Sequence, residues 1–222
     1  MRITPLDYIQ GWVLAAYARL IWRTTRLQIE GEEHIEQARA TGRPFIIAAW
    51  HGLTMMLTSY LVAHADPTRY VLIVPDDSRG AALSVWAQSM GALPFVISMG
   101  DDSMAAGRRL LELIRALKQG KHLFVNPDGP DGPTHEPKQG LSFIARKAKA
   151  LIVPAGAFTA TAYRIPRWDR YVVPFPFSRI AVVLGQPLDL AAHHADSEEA
   201  REAIRARLNE AEQAARERYR RR

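Results

Sequence analysis

Unbroken apolar runs alternate along this chain with stretches whose apolar residues recur every three to four positions. The runs are residues 44–50 (PFIIAAW), 70–75 (YVLIVP), 93–97 (LPFVI), 122–126 (HLFVN) and 151–157 (LIVPAGA). An apolar run of that length without polar alternation predicts a strand buried on both faces. Residues 51–64, 81–90, 103–118 and 141–149 carry helical spacing, and Gly120 closes the third of these. Residues 26–30 (RLQIE) alternate like a strand and stop at Gly31, and 32–41 read as a short helix closed by Gly42. Further strands are predicted at 171–174 and 180–184. Ser197 is placed to cap a last helix, with Glu198 and Glu199 in its first turn and arginines at its far end. Both charge placements suit the helix dipole.

Strands alternating with helices predict an α/β fold: a single domain with a central, largely parallel sheet flanked by helices. No internal repeat and no Gly/Ser-rich linker divides the chain. Residues 1–25 form an N-terminal helical segment, 26–190 the α/β unit and 191–222 a charged C-terminal helix of the same domain.

The chain has 222 residues, enough for one domain with a full core, and 48% of them are hydrophobic, which argues against disorder. It has no Cys, so disulfide staples, thiolate metal sites and a Cys nucleophile are excluded. Lys and Arg number 29 against 23 Asp and Glu, a balance of +6 that suits phosphate-bearing partners. Much of the arginine excess sits in 216–222, however, so the charge need not describe the folded core.

No cleavable signal peptide is evident. Residues 8–22 (YIQGWVLAAYARLIW) are apolar, but Gln10 and Arg19 interrupt them and they fall short of the ~20 residues a spanning helix needs. Their aromatics, Tyr8, Trp12, Tyr17 and Trp22, lie among Arg19, Arg23 and Arg26. That composition fits a helix lying in the headgroup region of an anionic membrane. It fits equally an amphipathic helix packing on the domain, and one helix can do both.

Three places combine chemistry-bearing residues with a strand end. His51 directly follows the run 44–50, which places it at the carboxyl rim where ligands collect on open α/β sheets. The loop 126–132 follows another run; its prolines and glycines fix the backbone and leave Asp128 and Asp131 as its only charges. A rigid loop presenting a carboxylate beside an imidazole is the layout of an oriented base, although a tight turn with solvated Asp residues fits the same spacing. Asp76-Asp77-Ser78-Arg79-Gly80 follows the run 70–75. Arg79 and Ser78 could grip a phosphate with help from the helix start at Ala81, or this could be a capped loop with a local Asp–Arg pair.

The order of these pieces resembles that of the lysophospholipid acyltransferases, and within them the bacterial branch once called domain of unknown function 374. The matching stretches are Trp50-His51-Gly52, Ser78-Arg79-Gly80, Pro127-Asp128-Gly129-Pro130 with Gly132-Pro133, Lys138-Gln139-Gly140, Ile152-Val153-Pro154, Trp168-Asp169-Arg170 and Pro174-Phe175-Pro176-Phe177-Ser178-Arg179. They span roughly residues 20–190.

The resemblance implies transfer of a fatty acyl group from a thioester, on coenzyme A or acyl carrier protein, to the hydroxyl of a membrane lipid. It implies His51 as general base, with Asp128 shaping the acceptor pocket and Ser78, Arg79, Gly129, Pro130 and Lys138 as substrate-binding positions. No permanently bound cofactor is implied, only acyl-CoA or acyl carrier protein as co-substrate, and the expected place of work is the cytoplasmic face of the cell membrane. A reaction without a covalent enzyme intermediate agrees with the lack of Cys and of a serine elbow.

Two departures stand out. The acidic residue expected five positions after the His is Met56, which cannot orient an imidazole, so either Asp76, Asp77 or Asp128 does so, or a backbone carbonyl does, or the activity is weak. Asp131 stands where an Arg is common, which disfavours a simple glycerol-phosphate acceptor and favours a lipid A-type glycolipid. Rival readings are a catalytically silent lipid-binding protein of the same fold, or a hydrolase of acyl thioesters. His193-His194 lack metal-ligand spacing, 216–222 come with no nucleic-acid recognition motif, and Ser98-Met99-Gly100-Asp101 match no nucleotide fingerprint.

Overall fold

The computed structural model describes residues 3–97, 103–191 and 197–221; the side chains of Ser78 and of 103–106 lie outside that description, as do the stretch 98–101 and the pair His193-His194. In chain order the elements are α1 (Pro5–Thr24), β1 (Arg26–Glu30), α2 (Glu32–Ala40), β2 (Phe45–Ala48), α3 (Thr54–His64), β3 (Tyr70–Pro75), α4 (Ser78–Ser89), β4 (Leu93–Ile97), α5 (Ser103–Lys118), β5 (His122–Val125), α6 (Gly140–Ala148), β6 (Leu151–Phe158), β7 (Ala162–Arg164), β8 (Val172–Pro174), β9 (Arg179–Leu184) and α7 (Glu198–Arg220). A 3-10 turn over His51–Leu53 precedes α3, where a continuous helix from His51 is predicted.

Seven strands form one sheet in the order β1-β9-β6-β2-β5-β3-β4, and β7 and β8 pair as a separate hairpin. From β6 to β4 all neighbours are parallel; β1 and β9 are parallel to each other, and β9 meets β6 antiparallel. The apolar runs explain the centre. All four residues of β2 are buried, and β6 is buried over seven of its eight positions, as central strands covered on both faces must be. From β2 the chain leads through α3 to β3 on one side, and from β5 through α6 to β6 on the other. The carboxyl ends of β2 and β5 therefore flank the point where strand order reverses, the usual crevice of such sheets.

Right-handed crossovers put α3 and α4 on one face of the sheet and α5 and α6 on the other. The helix contacts agree: α1 packs on α3 and α4, and α5 on α6. α7 lies on β6 and β9, so close that a Cβ at Gly156 would fall 2.0 Å from the Ala211 carbonyl oxygen. α1 starts at a capping box, with Thr4 and Asp7 exchanging hydrogen bonds. It buries small residues, Gly11, Ala15 and Ala18, and Gly11 lets its backbone approach Ala82 and Val85 of α4.

Candidate functional site

His51 leaves β2 through Ala49 and Trp50 and enters the 3-10 turn, so its ring projects at the carboxyl edge of the sheet. Two groups fix its main chain, and a third braces one of them. Its N–H donates to Asp128 Oδ1 at 2.9 Å, its carbonyl accepts from Thr54 Oγ1 at 2.7 Å, and Thr54 also donates to Asn126 Oδ1 at 3.0 Å. Asn126 in turn donates to the Ala49 carbonyl at 2.9 Å, tying the end of β5 to the end of β2.

The imidazole is held separately. Nδ1 lies 2.6 Å from Asp169 Oδ2, and Arg167 grips the same carboxylate with Nε on Oδ1 at 2.7 Å and Nη2 on Oδ2 at 2.8 Å. The Asp169 side chain is fully buried, whereas a quarter of the His51 side chain is exposed. Burial pushes the Asp169 carboxyl up, but the hydrogen bonds from Arg167 and His51 outweigh it and hold the group below the usual carboxylate range. An ionised carboxylate can only accept, so Nδ1 carries a proton, and the neutral form of the ring has its lone pair on Nε2.

The surroundings are built around this ring. A Cβ at Gly129 would sit 2.7 Å from His51 Cδ2, so the imidazole lies directly on bare backbone. Trp168 and Tyr171 tilt against it with centroids 5.4 and 5.9 Å away. Gly132, in left-handed backbone (φ 76°), admits the Trp168 ring in the same way. Burial pushes the Tyr171 hydroxyl up to about 12, so it stays neutral.

Asp128 has a different task from the one its position suggests. It is sealed from solvent and accepts from the backbone N–H groups of His51 and His135, at 2.9 and 3.3 Å. Burial raises its carboxyl above the usual range, partly offset by those donors. It therefore braces the main chain of His51 and leaves the ring to Asp169. Asp77 does not orient the ring either: it caps α4 by accepting from Gly80 N–H at 3.0 Å. Met56 is buried in the core.

The other expected positions gather at this rim. Arg79 reaches Asp77 at 2.7 Å and Asp131 at 3.7 Å, so it bridges the loops after β3 and β5; this is the local Asp–Arg pair, extended by one carboxylate. Ser78 opens α4, with its side chain outside the described residues. Pro130 and Pro133 follow cis peptide bonds in the loop that carries Gly129. Lys138 closes that loop by donating its backbone N–H to the Pro127 carbonyl at 2.9 Å, and the residue is exposed. Among the described residues no group of His, Asp and Glu is arranged to hold a metal ion.

Asp169, Arg167, Asn126, Thr54 and Tyr171 were assigned no role from sequence. Asp169 reaches His51 across 118 positions, from the connection between β7 and β8. A usable signal existed: it is the one acid in residues 151–188, against four arginines.

No protein-family model matches the chain. The chain is 28% identical over 177 residues to an uncharacterised protein of Rickettsia prowazekii, a match spanning 79% of this chain and 78% of that one. Among solved structures it is similar to the 1-acyl-sn-glycerophosphate (LPA) acyltransferase PlsC from Thermotoga maritima. The TM-score is 0.59 at 17% identity, over 92% of this chain and 79% of the other. This chain has the fold of that enzyme. That fold is the frame on which the hydrogen-bonded group of His51, Asp169 and Arg167 stands.

Proposed function

We propose that the chain is an O-acyltransferase, moving a fatty acyl group from acyl-CoA or acyl carrier protein to the hydroxyl of a membrane lipid. The observation that carries this reading is the His51–Asp169 pair, whose Nε2 has no partner among the described residues, at the carboxyl rim of an acyltransferase fold. Nε2 of His51 takes the proton of the acceptor hydroxyl as its oxygen attacks the thioester carbonyl. Asp169 stabilises the imidazolium that forms, and Arg167 keeps Asp169 ionised and in place. When the tetrahedral intermediate collapses, the C–S bond breaks and the imidazolium proton goes to the departing thiolate. The ester product and the free thiol account for every atom.

The acceptor we propose is a lysophospholipid or a lipid A-type glycolipid. Arg79 is already held by two carboxylates, which suits an acceptor whose phosphate lies away from it. The setting is peripheral, at the cytoplasmic face of the cell membrane and on an anionic surface. Among the described residues no helix is long and apolar enough to cross a membrane. α1 instead exposes Leu6, Tyr8, Ile9, Trp12, Val13 and Leu20 while burying its small residues.

The test is an assay of purified protein with labelled acyl thioester and mixed lipid acceptors, comparing wild type with His51→Ala. Acceptor-dependent ester formation by wild type, lost in the variant, is the expected outcome. Label appearing only as free fatty acid would mean hydrolysis, and no turnover by wild type would mean a silent lipid-binding protein.

A further inference from the structure

Sheet topology brings a second apolar feature to the edge that carries His51. Because β1 and β9 run against the other five strands, their opening residues, Arg26 and Arg179, lie at the carboxyl edge of β2 and β5. The turn before β9, Pro174-Phe175-Pro176-Phe177-Ser178, therefore lies at that edge too. It is fastened to α1: Tyr17 Oη donates to the Pro174 carbonyl at 2.7 Å, and Phe177 N–H donates to Thr24 Oγ1 at 3.2 Å. Phe177 is 81% exposed and sits in left-handed backbone (φ 63°), and Phe175 is exposed beside it. A bulky aromatic held in that conformation and offered to water has no folding rationale of its own.

The charge around this feature is one-sided. Residues 8–29 contain three arginines and no acid, and 151–188 contain four arginines and one acid, the buried Asp169. Arg23, Arg26, Arg164 and Arg170 are exposed. An exposed aromatic loop carried on segments whose exposed charges are arginines suits an anionic bilayer, with aromatics at headgroup depth and arginines on lipid phosphates.

We propose that the 175–177 loop inserts into an anionic bilayer as a second anchor beside α1, so that two points of attachment turn the His51 rim toward the lipid surface. A single helix lying in the interface leaves the domain free to roll about its axis; a wedge displaced from that helix removes the freedom. The proposal rests on the membrane-acceptor reading for its purpose, but its test does not use catalysis.

The chain has no Cys, so Phe177→Cys carries a single environment-sensitive dye. The full chain is titrated with vesicles of phosphatidylcholine containing phosphatidylglycerol. A blue-shifted emission, quenched by lipids brominated along the acyl chain, is expected at position 177. A dye on Leu111→Cys of α5 should not change. Phe175→Ser with Phe177→Ser should lower partition roughly tenfold or more, the equivalent of withdrawing one to two aromatic side chains from apolar surroundings. A dye at 177 that stays water-exposed on bound protein would overturn the proposal, as would partition unchanged in the double variant. So would a wild-type chain that self-associates through this face and ignores vesicles. If the double variant unfolds, the dye at 177 decides alone. Insertion without any acyl transfer would defeat the proposed function and leave the anchor standing.

Discussion

His51 and His122 occupy opposite ends of the same two neighbouring strands. His51 follows the carboxyl end of β2, and His122 opens β5 at the amino edge, stacked on Phe45, the first residue of β2, at a centroid distance of 3.8 Å. His51 is partly exposed and bonded to an ionised carboxylate. His122 is buried; among the described residues its Nε2 has no partner, and its Nδ1 accepts from the backbone N–H of Phe45 at 3.4 Å. Burial lowers the His122 pKa to about 4, with Arg39 and Arg69 adding to the effect. The same side chain is thus buried and neutral at pH 7 at one edge, and hydrogen-bonded to a carboxylate with part of its surface open to solvent at the other. What differs is the supply of loops: the carboxyl edge collects connections that bring Asp169, Asp128 and Gly129 to His51, whereas His122 is packed against the rings of Phe45 and Tyr70 with Arg39 and Arg69 nearby.

The largest effect that would separate the two is on rate. His51→Ala should lower acyl transfer by roughly 10²–10⁴-fold, the span of a general base, while His122→Phe should stay within about twofold. Equal losses in an initial-rate assay with labelled thioester would erase the distinction.

The next effect is on stability, and its sign follows from linkage. A His with a depressed folded-state pKa takes up its proton in the unfolded chain first, so stability falls as pH drops from about 6.5 toward about 4. Over that window His122 should contribute a loss on the order of 3 kcal/mol, which His122→Phe should remove. Chemical denaturation at pH 7 and pH 4, wild type against variant, checks it.

Asp169→Asn comes third. It keeps the shape but offers Nδ1 no anion, and kcat should fall roughly 10²-fold with KM little changed, less than the roughly 10⁴-fold loss when the orienting acid of a serine-hydrolase triad is neutralised. An equal loss appearing in KM would assign Asp169 to substrate binding instead. Smallest is Gly129→Ala, whose methyl would lie 2.7 Å from His51 Cδ2 and displace the ring. A loss of roughly tenfold in kcat is expected, with thermal unfolding near that of wild type.

The comparison also shows what could be read from the chain beforehand. Uninterrupted apolar runs in β2, β3, β5 and β6 announce strands covered on both faces, and the gaps between them announce parallel crossovers, so the sheet and the edge that carries His51 were legible. β7 was not: Ala162-Tyr163-Arg164 is three residues long and mostly exposed, with no periodicity to detect. The 3-10 turn at His51 was also missed, because Gly52 lies where a Cβ would come 2.3 Å from the Asp169 carbonyl oxygen, a constraint set by a distant loop. Asp128 was legible as a neighbour of His51 but not as a brace for its main chain. Asp169 was in view as part of Trp168-Asp169-Arg170, yet only the closed hairpin brings it to the ring. Local pattern reports burial; pairing across 118 positions it does not report.

Long-range nitrogen-15 NMR of the two imidazoles tests the central claim most directly, because it reads the position of each ring proton without substrate. At neutral pH, and before His51 is protonated, His51 should carry its proton on Nδ1, toward Asp169, with Nε2 bare. His122 should show the reverse, since Phe45 donates to its Nδ1. Asp169→Asn should disturb the first signal and leave the second unchanged. A neutral His51 protonated on Nε2, or indifferent to the loss of Asp169, would contradict the account of His51 as an oriented base.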